Sequence, residues 1–254
     1  MTYFASDLHL SSSGDEASKN RELLFIRWLD AIQPVARKIY LLGDMVNFWF
    51  EYKNVIPCGY SRFFGKLARL VSKGTEVHYF TGNHDMWVRD YLSKEIGLIV
   101  HRNMEEIEIE SCRFFVGHGH ELTKDIPVKL LFKLYDTALF RHFLAAMHPR
   151  WGITLGNYLS EKNQNKAVSD TGDFERNNHQ IAFATQKLRT KHYDYFIFGH
   201  SHSPFFGELS PNSVYINTGN WINHFSYAVF DGNRCHLKYY PVLSVVKEDT
   251  ICLY

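Results

Sequence analysis

The sequence has little cysteine, and the cysteines it has are scattered. Cys58, Cys112, Cys235 and Cys252 are the only four in 254 residues, and no two of them form a C-x-x-C pair. This spacing indicates neither a disulfide framework nor a structural zinc site. A reducing compartment fits such usage best, so we expect a cytoplasmic protein.

Long apolar runs and a strong net charge are also absent. No uncharged apolar run approaches the roughly 20 residues of a bilayer-spanning helix, and Asp7 comes too early for a signal peptide. The formal net charge of +1 gives no general reason to expect nucleic-acid binding. We therefore expect a protein that is soluble or peripheral to a membrane. Since 45% of the residues are hydrophobic, the chain can bury a full core.

Histidine, by contrast, is abundant, with 14 residues that concentrate in short blocks. Each block follows an apolar, strand-like run and carries Asp, Asn or His. One Gly-Asn turn is ordinary turn chemistry, but turns do not explain five such blocks in one chain. The blocks are Asp7-Leu8-His9, Gly43-Asp44, Gly82-Asn83-His84-Asp85, Gly117-His118-Gly119-His120 and Gly199-His200-Ser201-His202.

Strands and helices alternate over the first hundred residues, a pattern typical of a mainly parallel sheet. The predicted strands here are Thr2 to Ser6, Lys38 to Leu42 and Val77 to Thr81, and the predicted helices are Glu16 to Ile32, Ser61 to Val71 and Asp85 to Ile96. Further on we predict a helix at Phe174 to His192 and strands at Glu105 to Glu110, Cys112 to Val116, Asp194 to Phe198, Phe206 to Leu209, Val214 to Asn217, Ser226 to Phe230 and Cys235 to Tyr240.

Residues 123–168 carry no strand signal. Within them, Val128 to Met147 has the periodicity of one amphipathic helix with a broad apolar face. Lys129, Lys133 and Arg141 fall on the other side of that helix. We interpret 123–168 as a helical cap inserted into a single domain that spans residues 1–254.

The blocks supply the ligands of a dinuclear metal site. Carboxylate, amide and imidazole groups suit Mn, Fe or Zn, and D-x-H or H-x-H on extended backbone would direct both side chains to one face. Two ions about 3.5–4 Å apart can clamp a phosphate and activate water. The sequence therefore predicts a metal-dependent phosphohydrolase. The ligand-type residues are Asp7, His9, Asp44, Asn83, His118, His200 and His202.

The blocks resemble the D-x-H, G-D, G-N-H-D, G-H and G-H-x-H motifs of the calcineurin-like metallophosphoesterase superfamily. Within it, the chain resembles the UDP-2,3-diacylglucosamine hydrolases of lipid A synthesis, in particular their Bacteroidetes-type branch. The resemblance implies a four-layer α/β sandwich, with two mixed sheets flanked by helices, and a helical cap. The closer likeness lies in Phe48 to Lys53, Gly82 to Trp87, His148-Pro149, Tyr195 to His200 and Phe225 to Gly232.

The resemblance also implies a role for each site residue. Asp44 would bridge two divalent ions, with Mn as the expected metal and Fe or Zn as the alternatives. His84 would stabilise the transition state or protonate the leaving oxygen, and Asn47 would orient it. The first ion would be held by Asp7, His9 and His202, and the second by Asn83, His118 and His200. The substrate would contact Asn83, His84 and His200, together with Asp125, Ser160, Asn163 and Lys166.

Three positions depart from the family pattern, which usually has a carboxylate at each of them. They are Asn47, His120 and Asn220. An amide at Asn47 adds no negative charge beside His84, so the histidine is expected to be a weaker acid or base. None of the three changes removes a predicted metal ligand, so they leave the reaction type intact and the exact substrate open.

The reaction implied by the resemblance is water attack on the pyrophosphate of UDP-2,3-diacylglucosamine, which releases UMP and 2,3-diacylglucosamine 1-phosphate. The expected partner is this lipid-linked nucleotide, with weak contact to the inner membrane and no obligate protein partner. Two alternatives stay open: a phosphodiesterase or phosphomonoesterase acting on another substrate, and a non-catalytic scaffold. For Val128 to Met147, the alternatives are the lining of an acyl pocket or a helix packed into the core.

Overall fold

The computed structural model describes residues 1–12, 14–167 and 170–241, with the backbone alone at 161–167 and 170–174. The strands are β1 (Thr2–Ala5), β2 (Lys38–Leu42), β3 (Glu76–Phe80), β4 (Ile99–His101), β5 (Glu105–Ile109), β6 (Cys112–Gly117), β7 (Tyr195–Phe198), β8 (Phe205–Ser210), β9 (Ser213–Asn217), β10 (Ser226–Phe230) and β11 (Cys235–Tyr239). The helices are α1 (Glu16–Ile32), α2 (Ser61–Ser72), α3 (Tyr91–Lys94), α4 (Ile126–Tyr135), α5 (Ala138–Ala146), α6 (Pro149–Ala167) and α7 (Asp170–Leu188).

Two mixed sheets form the centre of the fold. One has the strand order β11-β10-β1-β2-β3-β4, and the other has the order β5-β6-β7-β9-β8. Apolar side chains from both sheets, such as Phe4, Phe80, Phe114 and Ile197, pack in one buried layer between them. α1 and α2 cover the outer face of the first sheet, and α7 covers that of the second. The four-layer α/β sandwich expected from the sequence is thus confirmed.

The parallel strands direct all five blocks to one edge. β1, β2 and β3 run parallel in the first sheet, and β6, β7 and β9 run parallel in the second. The blocks follow β1, β2, β3, β6 and β7, and the carboxyl ends of parallel strands meet at the same edge of a sheet. Residues far apart in the chain therefore come together there.

The helix predicted for Asp85 to Ile96 is wrong, because only Tyr91–Lys94 is helical. The Asp85 carboxylate accepts hydrogen bonds from the N–H groups of Gly82 and Met45, which fixes this segment as a turn. Glu51 accepts from the N–H groups of Asp90 and Tyr91, and so caps the short helix from a distant loop. The short strand β4 has no counterpart in the sequence-based prediction.

The single helix predicted for Val128 to Met147 is also wrong. Its residues belong to α4 and α5, which are separated at Asp136 and Thr137. The Thr137 hydroxyl accepts from the Phe140 N–H (3.2 Å) and donates to the Leu134 carbonyl (2.7 Å), so it caps both helices at once. α6 follows, with Pro149 at its first position. No helix in the described residues is long and apolar enough to cross a membrane.

An aromatic cluster ties α1 to the edge that carries the blocks. Trp221 is fully buried, with its ring centroid 4.7 Å from that of Phe25 and 5.1 Å from that of Trp28. Its backbone N–H donates to the Asp7 carbonyl at 3.0 Å. The loop after β9, the end of β1 and helix α1 therefore share one packed contact.

Replacing Trp221 by Ala should lower the free energy of unfolding by about 3–5 kcal/mol, because the change empties a large buried volume. Urea unfolding measures this loss. Trp151 is 68% exposed, so Trp151→Ala is the matched control and should change stability by less than about 0.5 kcal/mol. Equal effects of the two substitutions would contradict the packing role of Trp221.

Candidate metal centre

The site backbone is unusual in that five of the seven predicted metal ligands have positive φ. The values are 54° at Asp7, 48° at His9, 53° at Asp44, 68° at His200 and 62° at His202. For residues with a side chain, this left-handed region is strained and persists where the surroundings enforce it. The expectation that D-x-H and H-x-H lie on extended backbone was wrong. The paired side chains converge because the chain turns sharply at each strand end.

Hydrogen bonds between neighbouring loops enforce these conformations. The Asp7 N–H donates to the Gly43 carbonyl (3.1 Å), and the His9 N–H donates to the Asp44 carbonyl (3.0 Å). The turn at Gly82 lies so close that a Cβ there would be 2.2 Å from Oδ1 of Asp44. Glycine at position 82 is therefore required for the close approach of the two loops.

A first ligand group combines Asp7, His9 and His202. Oδ2 of Asp7 is anchored by the His200 N–H (3.0 Å) and by the Ser6 hydroxyl. Its other oxygen, Oδ1, lies 3.1 Å from Nε2 of His202 and 3.6 Å from Nε2 of His9. Oδ1 is buried and accepts no hydrogen bond of proper geometry. An unpaired carboxylate oxygen that faces two imidazole nitrogens fits a divalent cation.

A second ligand group surrounds Asp44. Its Oδ1 accepts from the His84 N–H (2.8 Å), whereas Oδ2 lies 3.2 Å from Nε2 of His118 and 3.8 Å from Nε2 of His9. Oδ2 thus borders both groups, as a bridging ligand must. Oδ1 of Asn83 is 3.3 Å from Nε2 of His118, and ligand atoms of Asp44, His118 and His200 lie within 4.8 Å of one another.

One hydrogen bond sets the tautomer of His118. Its Nδ1 donates to the Leu42 carbonyl at 2.7 Å, which leaves Nε2 free to coordinate. Metal-binding histidines commonly use their second nitrogen in this way. The carboxylates and imidazoles present therefore fit two divalent ions, with Asp44 between them. Because sulfur ligands are absent from these groups, Mn, Fe and Zn all suit the donors.

The electrostatics of the site keep Asp7 and Asp44 ionised and His9 neutral, but they protonate His118. Burial alone would raise the pKa of Asp7 and Asp44, but the imidazoles of His202 and His118 hold both well below the usual range. Burial lowers the pKa of His9 to about 4, so its ring is neutral near pH 7. Burial would lower the pKa of His118 too, but the Asp44 carboxylate raises it to about 10. A bound cation would compete with that proton.

His84 lies at the rim of the site, where a ring nitrogen also comes within 4.8 Å of ligand atoms of His9 and Asp44. Its Nδ1 faces the Asn47 carbonyl (3.0 Å) and the Ser160 hydroxyl, while Nε2 is 3.9 Å from Oδ2 of Asp44. The contact that the structure shows between Asn47 and the His84 ring is made by the main-chain carbonyl of Asn47. The orienting role expected of the Asn47 side chain stays a prediction.

The hydrogen bonds of Asn220 explain why an amide stands there in place of the carboxylate of the family pattern. Its Oδ1 accepts from the N–H groups of Ile222 (2.9 Å) and Asn223 (3.0 Å), and its Nδ2 donates to the His202 carbonyl at 2.7 Å. A carboxylate could not donate to that carbonyl. His120 is buried beside the ligands, where its ring packs edge-on against Phe132 of α4, at 5.3 Å between centroids.

The predicted substrate residues of the cap differ in their placement. Asp125 is exposed, and its carboxylate accepts from the Val128 N–H as the N-cap of α4, which gives it a structural role. Ser160 is buried and contacts Asn47 and His84, so its hydroxyl is occupied by protein atoms. The side chains of Asn163 and Lys166 lie outside the described residues. The substrate roles of all four residues stay predictions.

Asp85 was not singled out from the sequence, although the site depends on it. The carboxylate is fully buried and accepts from the Tyr79 hydroxyl (2.6 Å), the Gly82 N–H (2.6 Å) and the Met45 N–H (3.0 Å). It thus joins β3, the turn and the Asp44 loop. Burial and the nearby Asp44 carboxylate raise the pKa of Asp85 to about 6. The sequence feature that could have identified Asp85 is its position in the Gly-Asn-His-Asp block.

The chain belongs to the calcineurin-like phosphoesterase family, which it matches over residues 2–204. It is 36% identical over 252 residues to a UDP-2,3-diacylglucosamine hydrolase of Porphyromonas gingivalis, covering 93% of this chain and 96% of that protein. A UDP-2,3-diacylglucosamine hydrolase of Histophilus somni is 22% identical over 225 residues, or 87% and 92% of the two chains. A solved phosphoesterase from E. coli is 16% identical with a TM-score of 0.42, covering 89% of this chain and 86% of that one.

Asp44→Ala should remove most of the bound metal, because both ions lose a shared ligand. Asp7→Ala should remove chiefly one ion, since Asp7 belongs to one ligand group only. Metal content after dialysis against limiting Mn measures both effects, and circular dichroism checks that each variant is folded. Asp30→Ala, at an exposed carboxylate of α1, serves as the control and should keep full metal content. Equal loss in the Asp7 and Asp44 variants would contradict the bridging assignment.

Proposed function

We propose that this protein is a metal-dependent hydrolase that cleaves the pyrophosphate bond of UDP-2,3-diacylglucosamine to give UMP and 2,3-diacylglucosamine 1-phosphate. One observation carries the proposal: a buried oxygen of Asp44 borders two ligand groups, in a chain that is 36% identical over 93% of its length to a hydrolase of that name. The decisive experiment is turnover of this substrate with added Mn, compared with simple aryl phosphodiesters.

The ligand geometry accounts for the hydrolytic step. Bound divalent ions would supply activation of water and neutralisation of the phosphate charge. The chain itself supplies fixed ligands on strained turns, so the groups need little rearrangement during the reaction. The oxygen of water forms a bond to phosphorus, the bond to the bridging oxygen breaks, and that oxygen takes up a proton. We propose Mn as the ion, because hard oxygen ligands and imidazoles prevail here.

His84 is the proposed proton donor or transition-state stabiliser. Its ring is 12% exposed and held at Nδ1, so Nε2 is the atom that faces the space next to Asp44. A phosphate seated between the two ligand groups would lie against this nitrogen. This proposed role of His84 differs from that of the predicted ligands, which would bind the ions directly.

His84→Ala should lower kcat by roughly 10²–10⁴-fold, the usual range for loss of a general acid. Its metal content should stay close to that of the wild type. The loss should shrink for aryl substrates with good leaving groups, which need no proton. His142→Ala, at an exposed histidine of the cap, is the control and should keep wild-type kcat. Loss of metal from the His84→Ala variant would instead indicate that His84 is a metal ligand.

The outer face of the cap supports a lipid-linked substrate. Inward-facing Tyr135, Phe140 and Leu144 pack over Trp87, but α4 has no fully buried residue. The core-packed alternative therefore fits only the inner face. The outer face is apolar and open to solvent, with exposures of 67% at Leu130, 81% at Leu139 and 59% at Phe143.

We propose that this outer face takes up the acyl chains and rests on the cytoplasmic side of the inner membrane. Burial of each CH₂ is worth about 0.8 kcal/mol, and Lys129 and Lys133 on α4 suit anionic head groups or phosphates. Trp151 and Tyr158 on α6 are 68% and 59% exposed, and such residues are enriched at membrane interfaces. Weak, reversible attachment is expected rather than firm anchoring.

Replacing both Leu139 and Phe143 by Ala should raise KM for the diacyl substrate roughly tenfold or more, because apolar contact area is lost. KM for a short water-soluble phosphodiester should not change, and binding to anionic vesicles should weaken. The matched control replaces exposed apolar residues of the sandwich, Leu23 and Val35, by Ala. Equal losses on both substrates would indicate a purely structural role for α5.

A second candidate is hydrolysis of a different lipid-linked or nucleotide substrate by the same centre. His120 favours it, because an imidazole here replaces a carboxylate that the family pattern has beside the second ligand group. A panel of nucleotide diphosphate-linked lipids would separate the two candidates. A non-catalytic scaffold is not supported, since such a protein has no need for a buried cluster of Asp and His side chains around an unsatisfied carboxylate oxygen.

A further inference from the structure

One face of α6 is seated on the loops that carry the site. A Cβ at Gly156 would lie 2.3 Å from the Phe48 ring, and one at Gly152 would lie 2.1 Å from the Tyr52 hydroxyl. Asn157 donates from Nδ2 to the Ser12 hydroxyl at 2.6 Å. The spacing of these residues places them on one side of a helix. α6 therefore packs closely on the loop after β2 at its two glycines, and it is hydrogen-bonded to the loop after β1.

Ser160 continues this face by one turn and reaches the catalytic rim. It is 6% exposed. Its hydroxyl donates to the Asn47 carbonyl at 2.5 Å, and the same oxygen contacts Nδ1 of His84. Nδ1 of His84 also lies 3.0 Å from the Asn47 carbonyl. Three polar atoms from three segments thus meet at one point, away from solvent.

The chemistry of this contact fixes the imidazole. A serine hydroxyl has one proton to donate, and here it goes to the Asn47 carbonyl. The oxygen can then only accept from His84, so Nδ1 carries a proton, and the ring donates from Nε2 when that nitrogen is protonated as well. With Nδ1 occupied by Ser160 and Asn47, the ring cannot flip, and Nε2 stays turned towards Asp44, 3.9 Å away.

We propose that Ser160 is a positioning residue through which the seating of α6 aligns His84 for catalysis. The inference rests on the proposed phosphohydrolysis and the role of His84 in it. It differs from the substrate contact that the family resemblance implies for this position, because the hydroxyl is directed to protein atoms. The cap then does more than hold the substrate: a correctly seated cap completes the catalytic group.

The first test compares Ser160→Ala with Ser160→Thr. Loss of the hydroxyl should reduce kcat roughly 10- to 100-fold, the range expected when a catalytic group is misplaced, while KM stays within about twofold of the wild type. Thr keeps a hydroxyl and should restore most of kcat. Thr154→Ala removes an exposed hydroxyl from the same helix and should have no effect. A rise in KM for the diacyl substrate alone, with kcat unchanged, would overturn the proposal in favour of substrate contact.

A double-mutant cycle shows whether Ser160 acts through His84. In the His84→Ala background, Ser160→Ala should cause no further loss of kcat, because the group it positions is gone. Full additivity would overturn the proposal. Nitrogen NMR of labelled histidines supplies a readout independent of turnover: Ser160→Ala should shift the His84 Nδ1 signal, and Thr154→Ala should leave it unchanged. If the wild-type protein does not turn over the diacyl substrate but Ser160→Ala still shifts the His84 signal, the proposed function is wrong and the contact between Ser160 and His84 is supported.

Discussion

The structure of the site depends on the different surroundings of the two carboxylate oxygens of Asp44. One oxygen is fixed by a backbone N–H of the neighbouring turn, and the other is left at the meeting point of two imidazole-rich groups. Asp7 repeats the arrangement on one side. A buried carboxylate oxygen so placed is costly unless positive charge lies beside it. The strained turns, the glycines and Asp85 all serve to hold these oxygens apart and in place.

This constraint explains why the fold has its particular sheet topology. Ligands from five strand ends can meet only if those strands run parallel and the two sheets align their carboxyl edges. Antiparallel strands β10 and β11 extend the first sheet away from the site and contribute no predicted ligand. The aromatic contact of Trp221 with α1 then keeps the last loop against Asp7, so packing and ligand placement are coupled.

The sequence predicted most of the strands, and the structure brings the seven ligand-type residues together at the ends of those strands. Both follow from local patterns, namely apolar runs that end in short polar blocks, and the ligand roles stay predictions. It failed where a distant residue decides the local structure. The segment after Asp85 is not a helix since Asp85 and Glu51 capture its N–H groups. The break between α4 and α5 depends on one hydroxyl, Thr137, within a continuous apolar periodicity. The left-handed backbone at Asp7 and His9 could not be predicted, because loops remote in sequence enforce it. The contacts of Ser160 depend on the seating of α6, which no local pattern encodes.

The close approach of α6 to the aromatic loop has a consequence for inheritance and engineering. A Cβ at position 156 would clash with three atoms of the Phe48 ring, and one at position 152 would require the Tyr52 hydroxyl to shift. The cap and the loop at 48–52 should therefore vary together. A larger side chain on one of them requires a smaller or displaced side chain on the other. A cap transplanted from a relative would have to bring its own loop with it, and shifts in substrate range should arise through paired changes in these segments.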